Sequence, residues 1–295
     1  MSHVDLIYRI LSIIIPVFCI VLVGYSYSRK FNINMATSNQ INIDIFVPML
    51  IFGTMSSGNF SLENFHELAI AGLLVVLGSG LIAWPIGRIM NYQWKTFLPP
   101  MMFSNTGNMG LPLIVLAFGE QALPAAIILF VIENFLHFSV GQQMINRYWS
   151  FLFLLKNPMI IATLLGIAVS ELDLTVPEVV LLPVNLLGQI SIPLMLFSLG
   201  VRLTTIDFKD WRIGLAGAVV CPLTGLLIAL LLIVSFSLPV EQIPILILFS
   251  VLPPAVLNFL IAEQFDQEPH LVASIVLVGN LASILTIPLV LWFIL

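Results

Sequence analysis

The sequence predicts an all-α polytopic membrane protein. Ten transmembrane helices form two inverted five-helix repeats, residues 1–147 and 148–295, with crossed, broken helices 4 and 9. Three observations carry this reading. Hydrophobic residues make up 60% of the 295 and charged residues 8%, with a mean hydropathy of +1.11, whereas a soluble domain carries about 25% charge. Apolar segments of spanning length recur along the whole chain. Two of them are interrupted by Pro, Gly and Asn at corresponding places in the two halves.

In chain order the segments fall at 6–27, 40–57, 67–90, 97–118, 122–145, 157–171, 183–203, 212–236, 243–263 and 271–294. The first lacks a basic leader and a small-residue cleavage site, so it reads as a span and not as a targeting peptide. Pro48 and Pro193 kink the second and seventh spans, and with Ile51 and Ser198 they mark either a flexible cavity wall or a packing kink. The sixth span is short; residues 148–155 before it read as an interfacial lead-in anchored by Tyr148 and Trp149. Connections are brief and leave no room for a soluble domain or a long lid.

Basic residues set the orientation. Arg29 and Lys30 follow the first span, Arg88 and Lys95 the third, Arg147 and Lys156 the fifth, and Arg202, Lys209 and Arg212 the seventh. The alternate connections hold Glu63, Glu67, Glu120, Glu171, Asp173, Glu178 and Glu241 and neither Lys nor Arg. By the positive-inside rule both termini face outside, and the expected location is the cytoplasmic (inner) membrane. The ninth connection, with Glu263, Asp266 and Glu268, is acidic yet cytoplasmic by parity. Because five is odd, the second half enters the membrane in the opposite sense to the first.

The fourth span is broken at 103–113, where Gly107 and Gly110 loosen the helix and Pro112 withholds an N–H. The ninth is broken by Pro253 and Pro254. Laying Phe103-Ser104 on Phe249-Ser250 brings Gly107 and Asn108 onto Pro253 and Pro254, Pro112 onto Asn258, and Asn134 onto Asn280. One residue less pairs Pro48 with Pro193. This register is the trace of an internal duplication, and paired interrupted spans point to a transporter's binding site.

Half-helix N-termini meeting at such a crossing carry positive partial charge and unpaired N–H groups, an anion site made without a cation. No Lys or Arg lies near the centre of any span, so a carboxylate must be held by dipoles and amides. Asn105 and Asn258 are the leading donors, with Thr106, Gly107, Asn108, Pro253 and Pro254 around them; the alternative is that the asparagines cap the broken helices. Glu133 and His137 lie four apart on one face of the fifth helix, beside Asn134. Ionisable groups at this depth read as functional, here in coupling to H⁺ or Na⁺, against a purely structural hydrogen bond to the crossing. Cys19 and Cys221 read as small buried hydrophobes, no metal site or cofactor is expected, and the mild negative charge argues against nucleic-acid binding.

The chain resembles the auxin efflux carrier family, which includes plant auxin exporters and bacterial permeases, and is related in fold to bile acid:sodium symporters. The motifs that carry the resemblance are N-T-G-N-M-G-L-P-L at 105–113, N-P at 157–158, I-P-L-M-L-F-S-L-G at 192–200 and L-P-P-A-V-L-N-F-L-I-A-E-Q-F at 252–265. Membership implies a scaffold domain from helices 1, 2, 6 and 7, a transport domain from helices 3–5 and 8–10, and elevator-type alternating access with an organic anion at the crossing. It also implies that Asn105 binds the substrate carboxylate. This chain has Ile51 where plant members carry a small polar residue, Asn258 where they carry proline, and no long central loop. Those departures favour a small carboxylate such as malate or malonate over auxin.

The function expected is secondary active transport of a small organic anion, with membrane lipid as surroundings and a homodimer through the scaffold as an alternative to a monomer. A sodium-coupled symporter of the bile-acid type and a membrane-embedded small-molecule sensor are the alternatives. The sequence offers neither a nucleotide-binding loop nor a nucleophile–base constellation, which argues against a pump and against an enzyme.

Overall fold

The structure, a computed structural model, describes residues 3–31, 33–56, 60–146, 156–205 and 210–295. Those residues are helical apart from connections, two breaks and an isolated backbone bridge. In a lipid environment a segment must satisfy its own backbone, and the long apolar runs do so as helices. Among the described residues six helices are long and apolar enough to cross a membrane: Val4–Phe31, Leu62–Ile89, Glu120–Ile145, Glu178–Arg202, Trp211–Ser235 and Pro269–Ile294. They coincide with the first, third, fifth, seventh, eighth and tenth expected spans.

The other four expected spans are shorter or interrupted. The second is α2 (Ala36–Ile41), a π turn over Asn42–Phe46, and α3 (Val47–Met55). The fourth is α5 (Trp94–Met102), an extended break, a π turn over Thr106–Gly110, and α6 (Leu111–Phe118). Both π turns end two residues before a proline, Pro48 and Pro112, and by widening the helix they relieve the clash of the proline ring with the carbonyl four residues back. The ninth span is α12 (Ile243–Ser250) and α13 (Val256–Gln264) on either side of the Pro253-Pro254 break.

The sixth is α9 (Pro158–Glu171), started by Asn157, whose side chain accepts from the Met159 N–H at 2.9 Å, with Pro158 at the first helical position. Its 14 residues reach only about 21 Å. The lead-in expected at 148–155 lies outside the described residues.

The long helices are α1 (His3–Phe31), α4 (Leu62–Ile89), α10 (Glu178–Arg202), α11 (Trp211–Ser235) and α14 (Pro269–Ile294), and α7 (Leu123–Leu136) runs through a third π turn, His137–Gly141, into α8 (Gln142–Ile145). They sort into two packed groups. In one, α10 lies against α1 and α3, and α3 against α9; in the other, α11 lies against α4, α12 and α14, α4 against α5 and α7, and α13 against α14. The groups meet where α10 touches the Thr106–Gly110 turn, α1 touches α6 and α14, and α9 touches α7.

The outer faces are as greasy as the core, with Tyr8, Leu81, Val179, Val234, Leu285 and Phe293 all exposed, a surface suited to lipid and not to water. On the acidic ninth connection, Glu268 accepts hydrogen bonds from Thr96 and Gln93, which ties that carboxylate to the connection between helices 3 and 4.

Within the first group, α1 and α10 touch backbone to backbone. A Cβ on Gly200 would lie 1.9 Å from the Val21 carbonyl oxygen, so only glycine permits the approach, as in small-residue contacts between membrane helices. Gly200→Ala should cost about 1–3 kcal/mol as an overpacked contact, read as a lower melting temperature in detergent. An unchanged melting curve would disprove the contact.

Candidate functional site

The two breaks meet and complete each other's backbone. Asn105 N–H donates to the Pro253 carbonyl at 2.7 Å and Ala255 N–H to the Phe103 carbonyl at 2.9 Å, an antiparallel bridge centred on Ser104 and Pro254. Side chains meet further acceptors of the breaks. Asn258 Nδ2 donates to the Phe103 and Ala255 carbonyls at 2.9 and 3.0 Å, Asn280 Nδ2 to the Pro254 carbonyl at 2.9 Å, and Cys221 Sγ to the Leu252 carbonyl at 3.6 Å. The Asn105 carbonyl accepts from Met109 and Gly110 at 3.2 and 3.0 Å and so starts the second half of helix 4. Pro253 and Pro254 fit here because neither brings an N–H that would need a partner.

One side chain joins the two breaks to a third helix. Asn105 Nδ2 donates to Asn280 Oδ1 at 2.9 Å, while Asn280 Nδ2 bonds Pro254 and, at 2.7 Å, Val276 in its own helix. Gly279 beside it makes room for the Pro254 ring, whose Cδ would stand 2.6 Å from an added Cβ.

Against this crossing lies a cavity of about 130 Å³. From helix 4 it is lined by Asn105, Thr106, Gly107 and Asn108, and from helix 9 by Ala255, Val256 and Leu257; these are the first-turn residues of both half-helices. The intrahelical ladder leaves the first N–H groups of a helix without partners. Glu133, Asn134 and His137 line it from helix 5, and Asn39, Asn42, Ser198 and Arg202 line it from the other helix group.

Glu133 and His137 are both buried. Glu133 Oε2 accepts from Thr106 Oγ1 at 2.9 Å, fastening the carboxylate to the break. Its Oε1 stands 3.6 Å from His137 Nδ1, and neither atom has a hydrogen-bond partner. The imidazole stacks on Phe103, ring centroids 4.2 Å apart and 8° from parallel. Asn134 turns its amide back onto the Phe130 carbonyl at 2.8 Å.

The structure thus gathers Asn105, Thr106, Gly107, Asn108, Glu133, Asn134, His137 and Ser198 around one cavity. Pro253, Pro254 and Asn258 are not among the lining residues; both bonds of the Asn258 amide nitrogen go to carbonyls at the breaks and its oxygen accepts from no helix N–H, so Asn258 neither borders the cavity nor caps a half-helix. Pro48 and Ile51 are buried in the second span away from this cavity. Pro112 and Pro193 line a separate cavity of about 580 Å³ between the two helix groups, bordered by Thr54, Glu120 and Gln189.

Four residues escaped sequence reasoning. Asn280 was visible only as the repeat partner of Asn134. Asn39 and Asn42 belong to an amide-rich run, 34–42, whose composition was the available signal. Arg202 corrects the expectation of a site without a cation, because the end of α10 reaches the cavity wall.

The sequence profile of the family described as membrane transport protein matches residues 9–153 and 149–291. An uncharacterized transporter of Methanocaldococcus jannaschii is 25% identical over 309 residues, covering 97% of this chain and 99% of that protein. A Rhizobium meliloti protein provisionally named a malonate transporter is 24% identical over 310 residues, 95% of this chain and 94% of its own length. An uncharacterized transporter of Methanothermobacter thermautotrophicus is 24% identical over 277 residues, 86% and 87% of the two chains.

Asn280→Ala strips the Pro254 carbonyl of its side-chain donor and Asn105 of its acceptor, and should cost about 1–3 kcal/mol for the groups left unsatisfied. Asn134→Ala, which loses one bond within its own helix, should cost less. Thermal unfolding of both variants in detergent checks the order, and equal losses would contradict the role given to Asn280.

Proposed function

The chain belongs to the membrane transport protein family and is a multi-pass membrane transporter, not an enzyme; from that premise we propose that it is a secondary active carrier of a small carboxylate bound at the crossing of helices 4 and 9. The observation that carries the proposal is the convergence of two half-helix first turns and the Asn105, Thr106 and Asn108 side chains on one cavity. Partial positive charge from both helix ends and amide donors suit a carboxylate. The name of the Rhizobium meliloti relative agrees with an acid of this size.

In this proposal the ten spans form two inverted repeats. The group containing α4–α8 and α11–α14 is the transport domain, and it travels along a scaffold of α1–α3, α9 and α10. The crossing cavity is bordered by Asn39, Asn42 and Arg202, from the ends of helices 2 and 7 nearest the basic connections. With positive charge inside and the termini outside, this geometry is the inward-facing state in a cytoplasmic membrane.

Glu133 and His137 supply the coupling in the same proposal. A proton placed between Oε1 and Nδ1 would give both buried atoms the partner they lack. Because Thr106 already holds the other carboxylate oxygen, such a proton is felt at the first turn of the break. The sodium-coupled alternative would make Glu133 and the neighbouring amides cation ligands.

Uptake of labelled malonate, malate and indole-3-acetate into proteoliposomes, with pH gradient, sodium gradient and membrane potential imposed separately, tests the proposal. We expect a small acid to accumulate under the pH gradient. Asn105→Ala should raise its KM about 10–100-fold, the loss of a hydrogen bond to a charged group. Glu133→Gln should exchange substrate yet no longer respond to the pH gradient. Accumulation driven by sodium alone would favour the cation-site alternative, and no movement of any acid by folded protein would end the carboxylate reading.

A further inference from the structure

The crossing accounts for one end of the cavity, and the opposite wall has a chemistry of its own. It is built by the other helix group from Asn39 and Asn42, at the start of the second span, and Ser198 and Arg202, at the end of the seventh. Ser198 Oγ donates to Asn39 Oδ1 at 2.7 Å. That bond fixes the Asn39 amide and leaves its nitrogen as the end able to meet another acceptor. Asn42 is buried, and its carboxamide oxygen has no hydrogen-bond partner. A half-turn of such an amide exchanges acceptor for donor, so Asn42 presents an uncommitted polar end in a buried place, where leaving it unsatisfied is costly. Arg202 is partly buried and, among the described lining residues, is the one Lys or Arg, with a planar fork suited to a carboxylate.

We propose that Arg202, with Asn39 and Asn42, is the second anion-holding end of the cavity, so that the carried substrate is a dicarboxylate with one carboxylate at the crossing and the other on this wall. The inference rests on the carboxylate reading above and narrows it. Arg202 is the specificity residue: a monocarboxylate engages the crossing alone, while a diacid also satisfies the second wall. The two ends belong to different helix groups. A diacid therefore spans both only in the arrangement seen here, and relative travel of the groups would strip it from Arg202.

The test is binding to the detergent-solubilised full chain by titration calorimetry, with malonate and with malonamate, which replaces one carboxylate by a neutral amide at nearly the same size. The wild type should bind malonate more tightly. Arg202→Gln should raise the malonate Kd about 10–100-fold, the range for a lost charge-assisted hydrogen bond, and leave the malonamate Kd unchanged. Arg202→Lys should recover part of the loss, and Asn39→Ala should move malonate in the same direction as Arg202→Gln. Melting temperatures of the three variants report whether each is folded. Equal shifts for both ligands, or no shift for either, would overturn the assignment of Arg202 and leave the carboxylate reading standing. If the wild type binds neither and the uptake panel is also silent, the carboxylate reading fails and this inference with it.

Discussion

Two backbone hydrogen bonds, Asn105 to Pro253 and Ala255 to Phe103, let a pair of broken helices exist inside an apolar protein. A helix that stops in mid-membrane exposes peptide groups costing several kcal/mol each, on the order of a lost hydrogen bond in hydrocarbon. The breaks answer this by pairing with each other first and with side chains second. Asn258, Asn280 and Cys221 are spent on carbonyls the bridge leaves over. The neighbouring helices must then approach closely enough to deliver those groups, which is why a glycine faces the Pro254 ring. The first turns of both half-helices border the cavity.

The polar groups around that cavity divide by origin. Glu133, His137 and the amides of the break belong to the helix group that contains the crossing and are linked through Thr106 and Phe103. Asn39, Asn42, Ser198 and Arg202 belong to the helices packed through the Gly200 contact. A solute between them touches both groups, so its binding energy depends on how the groups lie against each other. That dependence is the physical requirement for a carrier that changes access without opening a continuous pore.

Much of this was legible in the sequence because rare residues announce themselves in an apolar context. The breaks were marked by Gly, Pro and Asn where lipid would select Leu. The Glu133–His137 pair followed from a spacing of four, and its two facing atoms stand 3.6 Å apart. The features that stayed hidden depend on tertiary direction. Nothing local distinguishes Asn258, turned back on the breaks, from Asn105, on the cavity wall. Arg202 closes an apolar helix and reads as an interfacial anchor; only the packing of α10 against the Thr106–Gly110 turn brings it to the site. Asn280 matched Asn134 in register, yet one bonds across three helices and the other only along its own.

The described π turns, Asn42–Phe46, Thr106–Gly110 and His137–Gly141, all fall in the first half of the chain. Each takes an extra residue for its turn and rotates the downstream helix by roughly a quarter turn relative to an unbroken one. The described residues of helix 9 contain no such turn, so the two broken helices are wound differently beyond their breaks. Helix 4 offers Asn105, Thr106 and Asn108 to the cavity, while helix 9 offers Ala255, Val256 and Leu257. The two broken helices meet the cavity with unlike surfaces, amides and a hydroxyl from one and apolar side chains from the other, a division set by residue identity and not by winding alone.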